Sequence, residues 1–125
     1  MLGEWEGLTH PEVVARGEGE QLALYRSDSI HHRPPGGETT EDTWHRMAEA
    51  ARMIREDRPT GAVAIVGHGG TLRVLICEAM GAPMTSVKRL SLDNTSLSII
   101  RTTYRPEGPV TRVLLVNDTS HLEGG

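Results

Sequence analysis

The chain has 125 residues, enough for one domain with one core and too few for two of ordinary size. Hydrophobic residues make up 37% and Phe is absent, so a core must be assembled from Leu, Val, Ile, Ala and Met. A formal net charge of −4 argues against nucleic acid or an acidic membrane as the main partner, while leaving room for a local phosphate pocket.

Thr9-His10-Pro11-Glu12 has capping-box spacing and predicts a helix running to about Tyr25. Its apolar positions are Val13, Val14, Leu22, Ala23 and Leu24, and Gly17 and Gly19 interrupt its middle. Residues 27–38 read as a loop punctuated by Pro34-Pro35-Gly36-Gly37. Thr39 or Thr40 then caps a helix to about Asp57, with Trp44, Met47, Ala48, Ala51 and Ile54 in an apolar stripe of helical period. Pro59 and Gly61 end it.

Ala62–Val66 is short, apolar and partly β-branched, the pattern of a strand buried on both faces. Gly67-His68-Gly69-Gly70 turns the chain into a helix from Thr71 to Met80, closed by Gly81 and Pro83. Cys77 lies in the apolar run Val74-Leu75-Ile76-Cys77 and reads as a buried thiol rather than a nucleophile; as the single cysteine it excludes an internal disulfide. After a loop or short helix, Leu97–Tyr104 and Val110–Val116 read as two strands joined tightly enough for an antiparallel hairpin. The tail from Asn117 is polar. Helices alternating with a buried strand define an α/β protein, here a single domain over residues 1–125. No apolar stretch approaches the ~18 residues of a membrane span. Glu4, Glu6 and Glu12 do not resemble the start of a signal peptide, so the cytoplasm is the expected compartment.

The segment with most chemical content is Val66-Gly67-His68-Gly69-Gly70-Thr71. It falls at the end of the expected strand and before a helix, the edge at which open α/β sheets bind ligands. The first N–H groups of a helix lack intrahelical acceptors and carry partial positive charge, which suits a phosphate. His68 is placed to touch the same anion, with Gly69, Gly70 and Thr71 as its binding backbone. A satisfied structural histidine is the competing reading. The run is not a Walker loop, and the chain has no Gly-x-Ser-x-Gly elbow to pair with a His-Gly-Gly oxyanion turn.

Five segments, in order, resemble the histidine phosphatases of the phosphoglycerate-mutase-like superfamily. They are Gly3-Glu4-Trp5-Glu6-Gly7-Leu8-Thr9, Pro35-Gly36-Gly37-Glu38-Thr39, Val66-Gly67-His68-Gly69-Gly70, Asp93-Asn94-Thr95-Ser96 and Asn117-Asp118-Thr119-Ser120-His121-Leu122. Each is common alone; their order carries the resemblance. It implies an α/β phosphoglycerate-mutase-like fold, a mainly parallel sheet flanked by helices. It also implies phosphoryl transfer through a phosphohistidine, on a small phosphorylated metabolite, without metal or other cofactor. In that chemistry one histidine, in an Arg-His-Gly motif on the first strand, attacks phosphorus. A second histidine and arginines hold the oxygens, and a glutamate protonates the leaving group. Only the second histidine has a counterpart here, His68; the chain has no Arg-His-Gly, and neither Glu4 nor Glu6 stands at the position of the family's glutamate.

The resemblance therefore implies an incomplete fold. Three accounts fit it: a truncated product or late start codon, half of a split protein, or a binding domain that does not catalyse. In each, Ala62–Val66 lacks the neighbouring strand and forms an exposed apolar edge, at which a homodimer or a complementing chain would pair. The remaining candidates read more plainly. His31 and His32 are adjacent and lack metal-ligand spacing. His45 faces solvent and His121 is structural; Trp5 and Trp44 pack; Asn94 and Ser96 fix a turn. Glu38 caps a helix or lines the pocket, and Arg73 faces either phosphate or water.

Overall fold

The computed structural model describes residues 2–123. The chain forms two compact units, Met1–Arg46 and Met47–Gly125.

In the first unit a 3-10 turn, Gly3–Trp5, is tied to the Pro-Gly-Gly loop by the Glu4 N–H, which donates to the Pro35 carbonyl at 2.8 Å. Helix α1 (His10–Ala15) starts as expected: the Thr9 hydroxyl oxygen accepts the Glu12 N–H at 3.3 Å, and the hydroxyl donates to the Glu12 carboxylate at 3.0 Å. Gly17, at φ +81°, breaks the helix, and α2 (Gly19–Ser27) follows. Trp5, Val13 and Leu22 are buried, with Leu8 and Tyr25 packed against them. The rings of Trp5 and Tyr25 meet edge to face at 6.0 Å. Val14, Ala23 and Leu24, expected on the apolar face, are exposed instead. The break splits the predicted helix into two short pieces, and each buries a single face.

Helix α3 (Thr40–Asp57) follows the predicted bounds. Its start is capped reciprocally, the Thr39 hydroxyl accepting the Asp42 N–H at 3.0 Å and the Asp42 carboxylate accepting the Thr39 N–H at 3.1 Å. Ala51 is buried; Trp44, Met47, Ala48 and Ile54 are half-buried.

In the second unit the strand expected over Ala62–Val66 is not formed. The stretch is exposed throughout, with Val66 at 95%. Apolar, β-branched composition favours a pleated, half-buried surface, but a strand exists only with a ladder partner. Among the described residues the one sheet is an antiparallel pair whose strands are bonded to each other. The parallel part of the expected sheet, which would have run through residues 62–66, therefore has no neighbour here.

Helix α4 (Gly69–Ala79) starts two residues earlier than expected and buries Val74, Leu75, Ile76 and Cys77. It ends at Gly81 (φ +70°), with the Gly81 N–H donating to Glu78 and the Ala82 N–H to Cys77, both at 3.0 Å. A 3-10 turn, Met84–Arg89, packs against α4 and buries Val87. The predicted hairpin is present: β1 (Leu97–Arg105) pairs with β2 (Gly108–Asp118), each longer than its apolar run. Two irregularities interrupt the register, between Leu97 and Ile99 and between Ile99 and Ile100. The polar tail adds one short helix, α5 (Ser120–Glu123).

Candidate phosphate site at the start of α4

His68 is the N-cap residue of α4, in extended conformation (φ −87°, ψ 155°), and its side chain makes no capping bond. The imidazole is thus left exposed beside the helix start. The His68 carbonyl accepts the Leu72 N–H at 3.0 Å and the Thr71 hydroxyl at 3.1 Å. Helix geometry leaves the N–H groups of Gly69, Gly70 and Thr71 without intrahelical acceptors. A Cβ on Gly67 would meet Leu72 at 3.5 Å, ordinary contact, so the glycines here keep the backbone bare rather than permit a strained φ. The predicted residues His68, Gly69, Gly70 and Thr71 therefore share one helix start, with the Thr71 hydroxyl committed as a donor to that turn.

Arg73, expected to face either phosphate or water, is half-buried. Its guanidinium donates to the Leu90 carbonyl at 3.4 Å. Cys77 is a buried free thiol; burial pushes its pKa up, against a smaller opposing effect of Arg73. This matches an inert core thiol.

Elsewhere, Glu38 neither caps α3 nor stands free. Its carboxylate receives two 2.9 Å bonds from Arg46, which hold its pKa below the usual carboxylate value. His31 bonds Asp28 through Nδ1 at 2.9 Å, and that bond lowers the Asp28 pKa. His45 is exposed beside Glu41, and His121 is exposed on α5. No group of His, Cys, Asp and Glu among the described residues is arranged to hold a metal ion. No helix of the described residues is long and apolar enough to cross a membrane.

The turn expected from Asn94 and Ser96 is built mainly by other residues. The Ser96 N–H donates to the Asp93 carbonyl at 3.2 Å, Thr95 takes φ +60°, and the amide of Asn117 holds Asp93 in place. Asn117 itself adopts φ +58°. The available signal was the residue type, since Asn tolerates the left-handed region better than most.

The fold and the segment order place the chain in a known class of α/β proteins. The histidine phosphatase superfamily (branch 1) matches residues 1–119, and the chain belongs to that family. A bifunctional protein of Mycobacterium tuberculosis (strain ATCC 25618 / H37Rv) is 32% identical over 121 residues, 97% of this chain and 32% of that protein. The glucosyl-3-phosphoglycerate phosphatase of the same strain is 33% identical over 93 residues, 68% of this chain and 41% of that enzyme. The solved structure of Bacillus stearothermophilus YhfR superposes with a TM-score of 0.79 at 26% identity, covering 97% of this chain and 58% of that one. The fold is the α/β phosphoglycerate-mutase-like fold, and the chain spans well under two thirds of the length of each of these relatives.

Proposed function

We propose that this chain supplies the second-histidine half of a phosphomonoesterase or mutase site acting on a small phosphorylated metabolite. The observation that carries the reading is the α4 start, where an uncommitted, exposed imidazole adjoins the N–H groups of Gly69, Gly70 and Thr71. An imidazole N–H of His68 and those backbone N–H groups donate to phosphate oxygens, and the helix dipole adds partial positive charge. Phosphoryl transfer depends on such positioning and charge stabilisation, and it also needs a nucleophile. The family's Arg-His-Gly does not occur in these 125 residues, so the chain by itself binds phosphate and does not turn over by the phosphohistidine route. The second reading, a domain that binds an anion or a partner without ever catalysing, differs only in what completes the site.

The test is hydrolysis of p-nitrophenyl phosphate by the chain and by His68→Ala, beside titration of both with inorganic phosphate followed by amide NMR. The expected result is no hydrolysis in either, with phosphate shifting the Gly69, Gly70 and Thr71 amides. Loss of the imidazole donor should weaken that binding about tenfold. Hydrolysis abolished by the substitution would mean that another nucleophile is present. An unresponsive helix start would sink the reading.

The partner reading rests on residues 62–66, where Val63, Ile65 and Val66 are exposed outside any ladder. A second copy or a complementing chain adds a strand there, burying apolar side chains and pairing backbone groups together. Sedimentation should then show concentration-dependent association that Ile65→Lys suppresses. A wild-type chain that stays monomeric at every concentration would rule this out.

A further inference from the structure

We propose that Asn117 is a positioning residue for the phosphate site, acting through residues 90–93; this rests on the reading of the α4 start given above. Three observations meet here. The register irregularity between Leu97 and Ile99 places an extra residue on β2, and Asn117 lies there at φ +58°. Bulges of this kind re-aim a side chain out of the ladder's alternation. The side chain so released clasps Asp93 in both directions. Its Oδ1 accepts the Asp93 N–H at 2.8 Å, and its Nδ2 donates to the Asp93 carboxylate at 3.1 Å. The Asn117 N–H donates in turn to the Ser98 hydroxyl at 3.1 Å, which anchors the clasp to β1.

The clasped segment runs beside the first turn of α4. A Cβ placed on Gly69 would stand 3.6 Å from the Leu92 carbonyl oxygen, so residue 92 flanks the helix start. Two residues earlier, the Leu90 carbonyl takes the long bond from Arg73. Residues 90–93 are thus held at one end by Arg73 and at the other by Asn117, with Gly69 against them between. Without the amide, the Asp93 N–H and carboxylate lose their partner, and the strip keeps the Arg73 bond at Leu90 but loses its anchor at Asp93. The N–H groups of Gly69 and Gly70 are then no longer braced, and an anion held by a few aimed donors is sensitive to that aim.

The test uses a swap. Asn117→Asp keeps size, tolerance of positive φ and the acceptor for the Asp93 N–H, but sets carboxylate against carboxylate. Adding Asp93→Asn moves the amide donor to the other side and restores the clasp. Inorganic phosphate is titrated into wild type, single and double variants, and the Gly69, Gly70 and Thr71 amides are followed by NMR. Asn117→Asp should weaken phosphate binding about fivefold or more, the effect of one lost hydrogen bond, and the swap should return it to within about twofold. Unchanged binding in the single variant, or no recovery in the double, overturns the proposal.

If wild type ignores phosphate, the functional reading fails but the positioning role is still decided by the phosphate-free spectra. Gly69 and Gly70 amides displaced in the single variant and restored in the double support it, and undisplaced amides refute it. Should Asn117→Asp fail to fold, Asn117→Gly keeps the positive φ, removes the amide and is read in the same way.

Discussion

Replacing Gly3 by alanine is expected to free the 3-10 turn from the Pro-Gly-Gly loop and to destabilise the first unit by about 3 kcal/mol or more. Gly3 sits at φ +55°, which alone costs a side-chain-bearing residue about 1 kcal/mol. The larger part is steric. A Cβ at Gly3 would overlap the Pro35 oxygen, the Gly36 carbonyl carbon and the Gly37 nitrogen, all backbone atoms that cannot rotate away. Gly7→Ala separates the two contributions, because Gly7 has φ +80° with nothing near its would-be Cβ, and should cost only the backbone share. Hydrogen exchange at the Glu4 amide, which bonds Pro35, is the direct readout. Protection of that amide unchanged in Gly3→Ala would refute the packing argument.

The second large effect is expected at Val74, a fully buried residue of α4. Val74→Asp sets an unpaired carboxylate at a fully buried position and should cost about 4 kcal/mol at neutral pH. Val74→Ala removes only apolar contact and should cost about 2 kcal/mol. Burial raises a carboxyl pKa, so the aspartate variant should regain part of its loss as acid neutralises it, whereas the alanine variant should not. Urea unfolding followed by circular dichroism at pH 7 and pH 5 separates them. Equal losses at both pH values would mean that the position is wetter than its burial implies.

Much of this was readable from local signals. The Thr9-x-x-Glu12 box, the Gly17 break and the Gly81 stop need no distant partner, and each lies where the residue types place it. The α3 stripe and the hairpin were legible for the same reason, since helix period and a short turn are local properties. Ala62–Val66 was misread because a strand is a relation between two segments, and the run of apolar residues specifies only one of them. At the site, His68 and its glycines stood out through their place before a helix. Asn117 and Asp93 did not, because what matters is a bond between residues 24 apart that only a bulge in β2 makes geometrically available. Arg73 was ambiguous by rotation angle, and its bond to the Leu90 carbonyl depends on a segment 17 residues away.

That Asp93–Asn117 bond also bears on the order in which the second unit assembles. Closing a loop of 24 residues from the open chain carries an entropic cost of several kcal/mol. The hairpin removes most of it beforehand, because pairing Leu97 with Asp118 already brings the two ends of that loop together. Hairpins zip from their turns within microseconds, on local contacts alone. The clasp is therefore a late, inexpensive step that ratchets a completed hairpin onto the strip beside α4, and the helix start receives its brace last.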